Sequence, residues 1–444
     1  MAPPPLFSLL FLLVVVVGAT FTAAAEVVFP REALPTKSGY LPIPSANASL
    51  YFAFYEATHP LTPPDSTPLL VWLEGGPGCA AMLSNFLQFG TYLIVGGSNG
   101  SSSLAPNPFA WNRRFGILFL DSPLGSGFSA APSPAAIPTD QSVIAEHILA
   151  ALQSFFSVQP GFRARPLFLT GESYAGKSLP TTGALILTVN PTLPEHRRIN
   201  LRGVAIGNGW VHPVATLTTH ADTAYFMGLI NARQKRELEA MQLEAVALTR
   251  AERWSEASNA EENLMSWLQN VTGLATVFDV GVQSATALDI AGLGVFLNRA
   301  EVKAALGARS DVALEICSAA VGAALHDDVM KSAKPGVEAL LREPTMRVLL
   351  YEGIRDLKVG VVTTEAWLRE VEWDGLAAFL DADRAVWRSS RGRLAGYVQS
   401  HGALTHVAVY GAGHFVPASQ GRASQEMIED WVSGTGLFGG GGTA

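Results

Sequence analysis

Pro166-Leu-Phe-Leu-Thr-Gly-Glu-Ser-Tyr-Ala-Gly176 is the stretch of sequence that decides the fold. An apolar, strand-like run, Pro166–Thr170, leads into a turn, and a helical pattern begins after Ser173. Small residues at Gly171, Ala175 and Gly176 let a sharp turn close and let the helix pack on the strand. We predict a strand–turn–helix unit that holds Ser173 at its corner. The alternative is a serine in an ordinary structural turn.

Comparable apolar runs recur along the chain, each ending near a Gly or an acidic residue. They are Leu69–Leu73, Phe115–Leu120, Val204–Ile206, Arg347–Tyr351 and His406–Tyr410. Helical spacing of apolar residues from about Asp140 to Ser157 predicts a helix between two of these runs. Continuous apolar strands that alternate with helices are typical of a mostly parallel sheet buried on both faces. The sequence therefore predicts the α/β class.

The pattern changes between residues 212 and 334. Helical stretches rich in Ala, Glu and Arg, such as Asn231–Thr249 and Arg253–Leu268, replace the strand-like runs. We predict a helical insertion at 212–334 that interrupts a core formed by 26–211 and 335–444. The insertion either caps a functional site or is a solvated addition without a role in chemistry.

An acid and a base follow two of the later strands. Asp356 lies just beyond Arg347–Tyr351, and His414 lies just beyond His406–Tyr410. Loops at the carboxyl ends of parallel strands gather at one edge of the sheet, so Ser173, Asp356 and His414 can meet there. Their chain order is that of the nucleophile, acid and base of the α/β-hydrolase fold, which predicts a catalytic triad.

Other side chains could fill the same roles. The rival acid is Glu352, and the rival bases are His401 and His406. His414 could also be a structural histidine.

The loop Gly75-Gly76-Pro77-Gly78 follows an early strand. Glycines let a backbone approach a bound carbonyl closely and present its N–H groups. We expect the amides of Gly76 and Tyr174 to form an oxyanion hole. Taken alone, the loop could be only a turn.

Charge and composition exclude several classes of protein. The 444 residues carry a formal net charge of -8, and no basic run could neutralise a nucleic-acid backbone. No Cys/His spacing typical of a metal site occurs, and the predicted chemistry needs no metal or cofactor. We expect a peptide or small acyl substrate and no nucleic-acid partner.

The first residues resemble a targeting segment. Leu6–Val17 is almost wholly apolar but short for a membrane span, and Ala23–Ala25 offers small residues for cleavage. We predict a signal peptide at 1–25, the secretory pathway, an extracellular or vacuolar location, and no stable membrane insertion after cleavage. The alternative is an uncleaved N-terminal anchor.

The chain also has two kinds of feature that are common in secreted proteins, glycosylation sequons and a pair of cysteines. Sequons predict glycosylation at Asn47, Asn99 and Asn270. The two cysteines, Cys79 and Cys317, allow one disulfide or two free thiols.

The motifs together resemble the serine carboxypeptidases, and within them the plant serine carboxypeptidase-like proteins. The matching segments are Trp72–Cys79, Asp121–Ser129, Gly171–Lys177, Gly207–Gly209 and Gly411–Pro417. The resemblance implies an α/β-hydrolase fold with a helical insertion, and release of the last residue of a peptide, usually in acidic compartments. It also implies a Cys79–Cys317 disulfide, because Glu315–Ser318 resembles the family's partner segment.

The same resemblance implies a site for the substrate's terminal carboxylate. Glu172 and Gly75 match that site, but Glu74 stands where the family usually has Asn. Two adjacent carboxyls cannot both ionise cheaply, so we expect one pKa to rise and Glu74 to bind a carboxylate only when protonated. Alternatively, Glu74 turns into solvent or pairs with Lys177.

The sequence thus predicts a secreted serine carboxypeptidase that forms an acyl-enzyme on Ser173. The resemblance implies that it acts at acidic pH. Two alternatives stay open: an acyltransferase that uses a sugar-ester donor, and a secreted binding protein with a silent site.

Overall fold

The structure, a computed structural model, describes residues 29–96, 102–284 and 289–439. The strands are β1 (Lys37–Ile43), β2 (Ala48–Tyr55), β3 (Leu69–Leu73), β4 (Tyr92–Gly96), β5 (Ser102–Pro106), β6 (Gly116–Leu120), β7 (Leu167–Glu172), β8 (Leu201–Gly207), β9 (Arg347–Gly353), β10 (Ala385–Arg388), β11 (Leu394–His401) and β12 (Leu404–Val409).

The α-helices within the same ranges lie between these strands, except the last two, which follow β12. They are α1 (Met82–Ser84), α2 (Gln141–Val158), α3 (Ala175–Val189), α4 (Pro213–Thr216), α5 (His220–Phe226), α6 (Ala232–Arg250), α7 (Trp254–Thr272), α8 (Ile290–Leu297), α9 (Ala300–Leu306), α10 (Ala319–Ala324), α11 (Lys334–Arg342), α12 (Val361–Leu368), α13 (Leu376–Asp381), α14 (Val416–Ser419) and α15 (Gly421–Ser433).

One large sheet organises the described residues. Its strand order is β1-β2-β6-β3-β7-β8-β9-β12-β11-β10, and β4 pairs separately with β5. The six central strands, β6-β3-β7-β8-β9-β12, are parallel to one another. At the two edges, β2 and β1 on one side and β11 and β10 on the other join antiparallel. The predicted mostly parallel α/β sheet is therefore confirmed.

Helices cover both faces of this sheet. On one face α2, α3 and α11 bury apolar side chains such as Ile148, Leu179 and Leu340. On the other face α8 and α15 bury Phe296 and Met427. Because the central strands are enclosed on both sides, they read as unbroken apolar runs in the sequence.

The segment between β8 and β9 contains only helices and loops in its described part. Its longest helices, α6 and α7, coincide with the two helical stretches expected from composition. Asn231 caps α6: its side chain accepts hydrogen bonds from the amides of Arg233 and Gln234. The division of the chain at residues 212 and 334 stays a prediction.

A disulfide joins this segment to the core. Cys79, in the loop after β3, is bonded to Cys317, which is 238 residues further along the chain. Backbone hydrogen bonds flank the bridge, from Ala80 N to Ile316 O at 2.7 Å and from Ser318 N to Gly78 O at 3.0 Å. The pairing implied by the family resemblance is present, and the alternative of two free thiols is wrong.

Some predicted secretory features lie outside the described residues, namely the signal peptide at 1–25 and Asn99. Asn47 and Asn270 are exposed, and their glycosylation stays a prediction. Within the described ranges, no helix combines the length and apolarity that crossing a membrane requires.

Candidate active site

Ser173 lies at the sharp turn between β7 and α3. Its φ is +61°, a left-handed conformation that non-glycine residues seldom adopt. The turn closes only because its neighbours are small: a Cβ at Gly171 would lie 2.3 Å from Leu73 O, and one at Gly176 would lie 2.7 Å from Trp210 N. The structure therefore places Ser173 at a strand-to-helix corner, as the sequence predicts.

Asp356 and His414 meet at the same edge of the sheet. His414 Nδ1 lies 2.6 Å from Asp356 Oδ2, and both side chains are buried. The amides of Lys358 and Val359 donate to Asp356 Oδ1 at 2.9 and 3.0 Å. Because Oδ1 is occupied by these amides, Oδ2 is left to orient the imidazole.

Asn208 completes the support of the acid. Its Nδ2 donates to Asp356 Oδ2 at 2.7 Å and to Val359 O at 3.2 Å. Asn208 belongs to the Gly207–Gly209 motif, but the sequence alone assigns it no role. Asn208 directly follows β8, which lies beside β9, the strand that leads to Asp356. This position could have indicated its role.

Replacing Asn208 with alanine should lower kcat about tenfold, because the acid loses one of its oriented donors while its backbone donors remain. The matched control is Asn200→Ala, which removes another side-chain amide, one that bonds Ala164 O away from the site. Hydrolysis rates and melting temperatures of both variants separate positioning from stability. A loss of stability without a loss of kcat would contradict the assigned role.

The rival acid and one rival base occupy a separate place and pair with each other. His406 Nε2 lies 2.7 Å from Glu352 Oε2, and Thr364 donates to Glu352 Oε1 at 3.0 Å. Burial raises the pKa of Glu352. The other rival, His401, ends β11, and its ring lies 6.2 Å from that of Trp373. The structure thus pairs Asp356 with His414 and Glu352 with His406, and it is His414 that lines a common cavity with Ser173.

A residue from the helical segment contacts the imidazole. The ring of Phe278 lies 4.6 Å from that of His414, and Phe278 O accepts a hydrogen bond from His414 N at 2.7 Å. Residue 278 falls inside the predicted insertion. The sequence offered no signal for this contact, since an isolated Phe in a loop carries no recognisable pattern.

The glycine loop after β3 lies against the serine turn. Gly76 has a φ of +114°, and a Cβ at Gly75 would lie 2.6 Å from Ser173 Cβ and 3.0 Å from Tyr174 N. Gly76, Ser173 and Tyr174 line a common small cavity. The two amides expected to form the oxyanion hole thus belong to adjacent backbone segments beside the serine.

Glu74 and Glu172 are in contact inside a buried polar cluster. Glu74 Oε2 accepts hydrogen bonds from Ser84 Oγ at 2.6 Å and from Trp72 Nε1 at 3.2 Å. Gln88 donates to Ser84 Oγ at 2.8 Å and to Glu172 Oε1 at 2.6 Å, so it links the two carboxyls. Sequence reasoning missed Ser84 and Gln88.

Electrostatics favour a proton on this pair. Burial raises the pKa of Glu74, partly offset by its bonds from Ser84, Trp72 and Gly75. Burial, followed by the charge of Glu74, raises the pKa of Glu172 well above its ordinary value. One proton between the two carboxyls allows a hydrogen bond that two carboxylates could not make.

The alternative placements of Glu74 are wrong. Its side chain is buried rather than solvated, with 7% relative exposure. Lys177 instead pairs with Asp328, whose Oδ2 lies 3.5 Å from Lys177 Nζ, and donates to the backbone carbonyl of Val329.

Two cavities open beside Ser173. The larger, about 600 Å³, is lined by Glu74, Gly75, His414 and a set of apolar side chains. The smaller, about 70 Å³, lies on the side of Tyr174. Within the described residues, no group of acidic, His and Cys side chains is arranged to hold a metal ion.

Comparison with known proteins agrees with this geometry. The family model described as "Serine carboxypeptidase" matches residues 28–434. The chain is 48% identical to "Serine carboxypeptidase-like 50" of Arabidopsis thaliana over 93% of this chain and 90% of that protein. It is 28% identical to "Probable serine carboxypeptidase CPVL" of Homo sapiens over 92% of this chain and 85% of that protein.

A solved structure shares the fold. The Kex1(delta)p carboxypeptidase of Saccharomyces cerevisiae, described as prohormone-processing, superposes with a TM-score of 0.80 at 24% identity, covering 91% of this chain and 92% of that one. At this identity the likeness establishes the α/β-hydrolase fold alone. The match of the family model along nearly the whole chain and the 48% identity to the Arabidopsis relative show that this protein belongs to the serine carboxypeptidase family.

Proposed function

We propose that the protein is a secreted serine carboxypeptidase, which releases the last residue of a peptide through an acyl-enzyme on Ser173. The observation that carries the proposal is the buried Glu74–Glu172 pair, which lies beside the nucleophile turn and can hold a proton. A protonated carboxyl can donate to a carboxylate, and the end of a peptide is a carboxylate. Secretion, glycosylation and an extracellular or vacuolar location are part of the same proposal.

The chemistry assigns a role to each group. Ser173 Oγ attacks the carbonyl carbon of the last peptide bond, and His414 Nε2 takes the hydroxyl proton. Asp356 holds Nδ1–H of the imidazole and stabilises the imidazolium. The amides of Gly76 and Tyr174 donate to the oxyanion. His414 then protonates the leaving amine, the C–N bond breaks, and water hydrolyses the acyl-enzyme by the same steps.

Recognition of the terminal carboxylate distinguishes this reaction from other serine hydrolysis. Glu74, Glu172 and Gly75 would bind that group, with Ser84 and Gln88 holding the two carboxyls in place. The amide of Gly75 lies 3.3 Å from Glu74 Oε1. A substrate without a terminal carboxylate gains nothing from this cluster.

The test compares two blocked dipeptides that differ only at the C-terminus, one a free acid and one an amide. We expect kcat/KM for the free acid to exceed that for the amide at least tenfold. A factor of this size corresponds to the free energy that is lost when a buried polar group loses its partner. Product release is measured by chromatography, with a serine-directed fluorophosphonate to count reactive Ser173.

Two results would contradict the assignment. Equal rates for acid and amide would remove the role of the carboxyl cluster. No release of either, with Ser173 fully labelled, would replace the carboxypeptidase by acyl transfer or ester hydrolysis, whereas absent labelling would indicate a silent site.

A further inference from the structure

Ser173 lies between two cavities of very different size. It lines both the cavity of about 600 Å³ and the cavity of about 70 Å³. Phe278 also lines both, so its ring, packed on His414, stands between them. A peptide cleaved at Ser173 places one residue on each side of this boundary.

The carboxylate site decides which residue occupies which cavity. Glu74 and Gly75 line the large cavity, so a residue whose carboxylate they bind has its own side chain there. Tyr174, whose amide faces the acyl group under the proposed function, lines the small cavity. The residue before the cleaved bond therefore enters the small cavity.

The large cavity suits a bulky apolar side chain. Its apolar lining comes from several elements: Leu83, Val282, Ile290 and Phe415. Its volume of about 600 Å³ is several times the ~150 Å³ that accommodates a benzene ring in a protein interior. Besides Glu74, the charged side chains that line it are Arg355 and Asp279, which pair with each other at 3.5 Å between Nε and Oδ1.

An ion pair lines the small cavity. Lys358 Nζ lies 3.0 Å from Glu261 Oε1, and Glu261 is buried. The ammonium also lies 5.6 Å from the ring centre of Trp210 and 5.9 Å from that of Phe278. These contacts fix Lys358 in place as a wall, and the paired charges offer no net attraction to a charged side chain.

We propose that the preferred substrates end in a small uncharged residue followed by a large apolar one, and that Glu261 and Lys358 set the limit on the first of these. The inference rests on the proposed function. A space of about 70 Å³, under half of what a benzene ring needs, admits the side chain of alanine or serine and excludes that of phenylalanine.

The test uses two blocked dipeptides with the same composition in opposite order, acyl-Ala-Phe and acyl-Phe-Ala. We expect kcat/KM for acyl-Ala-Phe to be at least tenfold higher. Equal or reversed preference, with release intact, would overturn this inference and leave the carboxypeptidase assignment standing. Absence of release from both would overturn the assignment and this inference with it.

A double variant tests the wall itself. Glu261→Ala/Lys358→Ala removes both side chains but keeps the backbone amide of residue 358 that supports Asp356. We expect the preference for acyl-Ala-Phe to shrink at least threefold because kcat/KM for acyl-Phe-Ala rises. The control, Arg253→Ala/Glu256→Ala, removes an exposed pair from the start of α7 and should keep the ranking. An unchanged ranking in the double variant would refute the role of the pair.

A variant in the large cavity tests the inference if the double variant is unstable. Ala418 is exposed on the rim of the large cavity, so Ala418→Trp narrows it without touching the core. We expect release of the last residue from acyl-Ala-Phe to fall at least fivefold relative to acyl-Ala-Ala. Equal effects on the two substrates would contradict the assignment of the large cavity to the terminal residue.

Discussion

Asp356→Asn should lower kcat by about 10⁴-fold with little change in the fold, the effect known for the equivalent substitution in serine proteases. The asparagine keeps an oxygen that can accept from the amides of Lys358 and Val359. Its NH2 group then faces both His414 Nδ1 and the Nδ2 donor of Asn208. A donor at this position favours the imidazole tautomer that cannot take the proton of Ser173.

The matched control is Glu352→Gln, which changes the other buried acid that bonds a histidine. Glu352 pairs with His406 and lies outside the machinery assigned here, so kcat should stay within about threefold even if the melting temperature falls. Initial rates on a blocked dipeptide, with active sites counted by fluorophosphonate, measure both. A larger loss in Glu352→Gln than in Asp356→Asn would reverse the choice of catalytic acid.

Much of this arrangement could be predicted because it depends on local sequence. The central strands are enclosed on both faces and read as apolar runs, and the turn around Ser173 needs small residues at fixed places. By contrast β1 and β10 lie at the sheet edges, where half-exposed positions break the apolar pattern. These edge strands were missed for that reason.

The surroundings of the site could not be predicted because they depend on contacts between distant segments. Gln88 bonds Glu172 across 84 residues of sequence, and Phe278 reaches His414 from the helical segment. Neither side chain belongs to a recognisable pattern. The proximity of Glu74 and Glu172 was expected only through the family resemblance, whereas its consequence for protonation followed from physics.

The pH dependence of substrate binding follows from that proximity. Both carboxyls have a pKa raised above the ordinary value of 4.5, chiefly by burial. At acidic pH the pair keeps a proton and can donate to a substrate carboxylate. As pH rises through the raised pKa, the proton is lost and two carboxylates repel the substrate.

Stability should change in the same direction. A carboxyl whose pKa is raised in the folded state stabilises the fold most below its unfolded pKa, and that contribution is lost as pH rises through the folded pKa. Removing one carboxyl should therefore help the fold more at neutral pH than at pH 4. The difference in melting temperature between Glu74→Gln and the wild type, measured at both values, tests this sign.

Glu74→Asn should extend activity toward neutral pH. In the wild type we expect kcat/KM to fall up to about tenfold per pH unit above the pKa of the pair, or about a hundredfold over two units. An amide donates at every pH, so the decline of kcat/KM should be shallower in the variant.

Glu74→Gln is the control of matched length: it also lacks the carboxyl, but its side chain can still reach Ser84 and Trp72. If ionisation of Glu74 limits binding, both variants move the profile in the same direction. If only Glu74→Asn moves the pH profile, the length of the side chain is the cause. If neither variant moves the profile, the group that titrates lies elsewhere, because protonation of Glu172 would then not depend on residue 74.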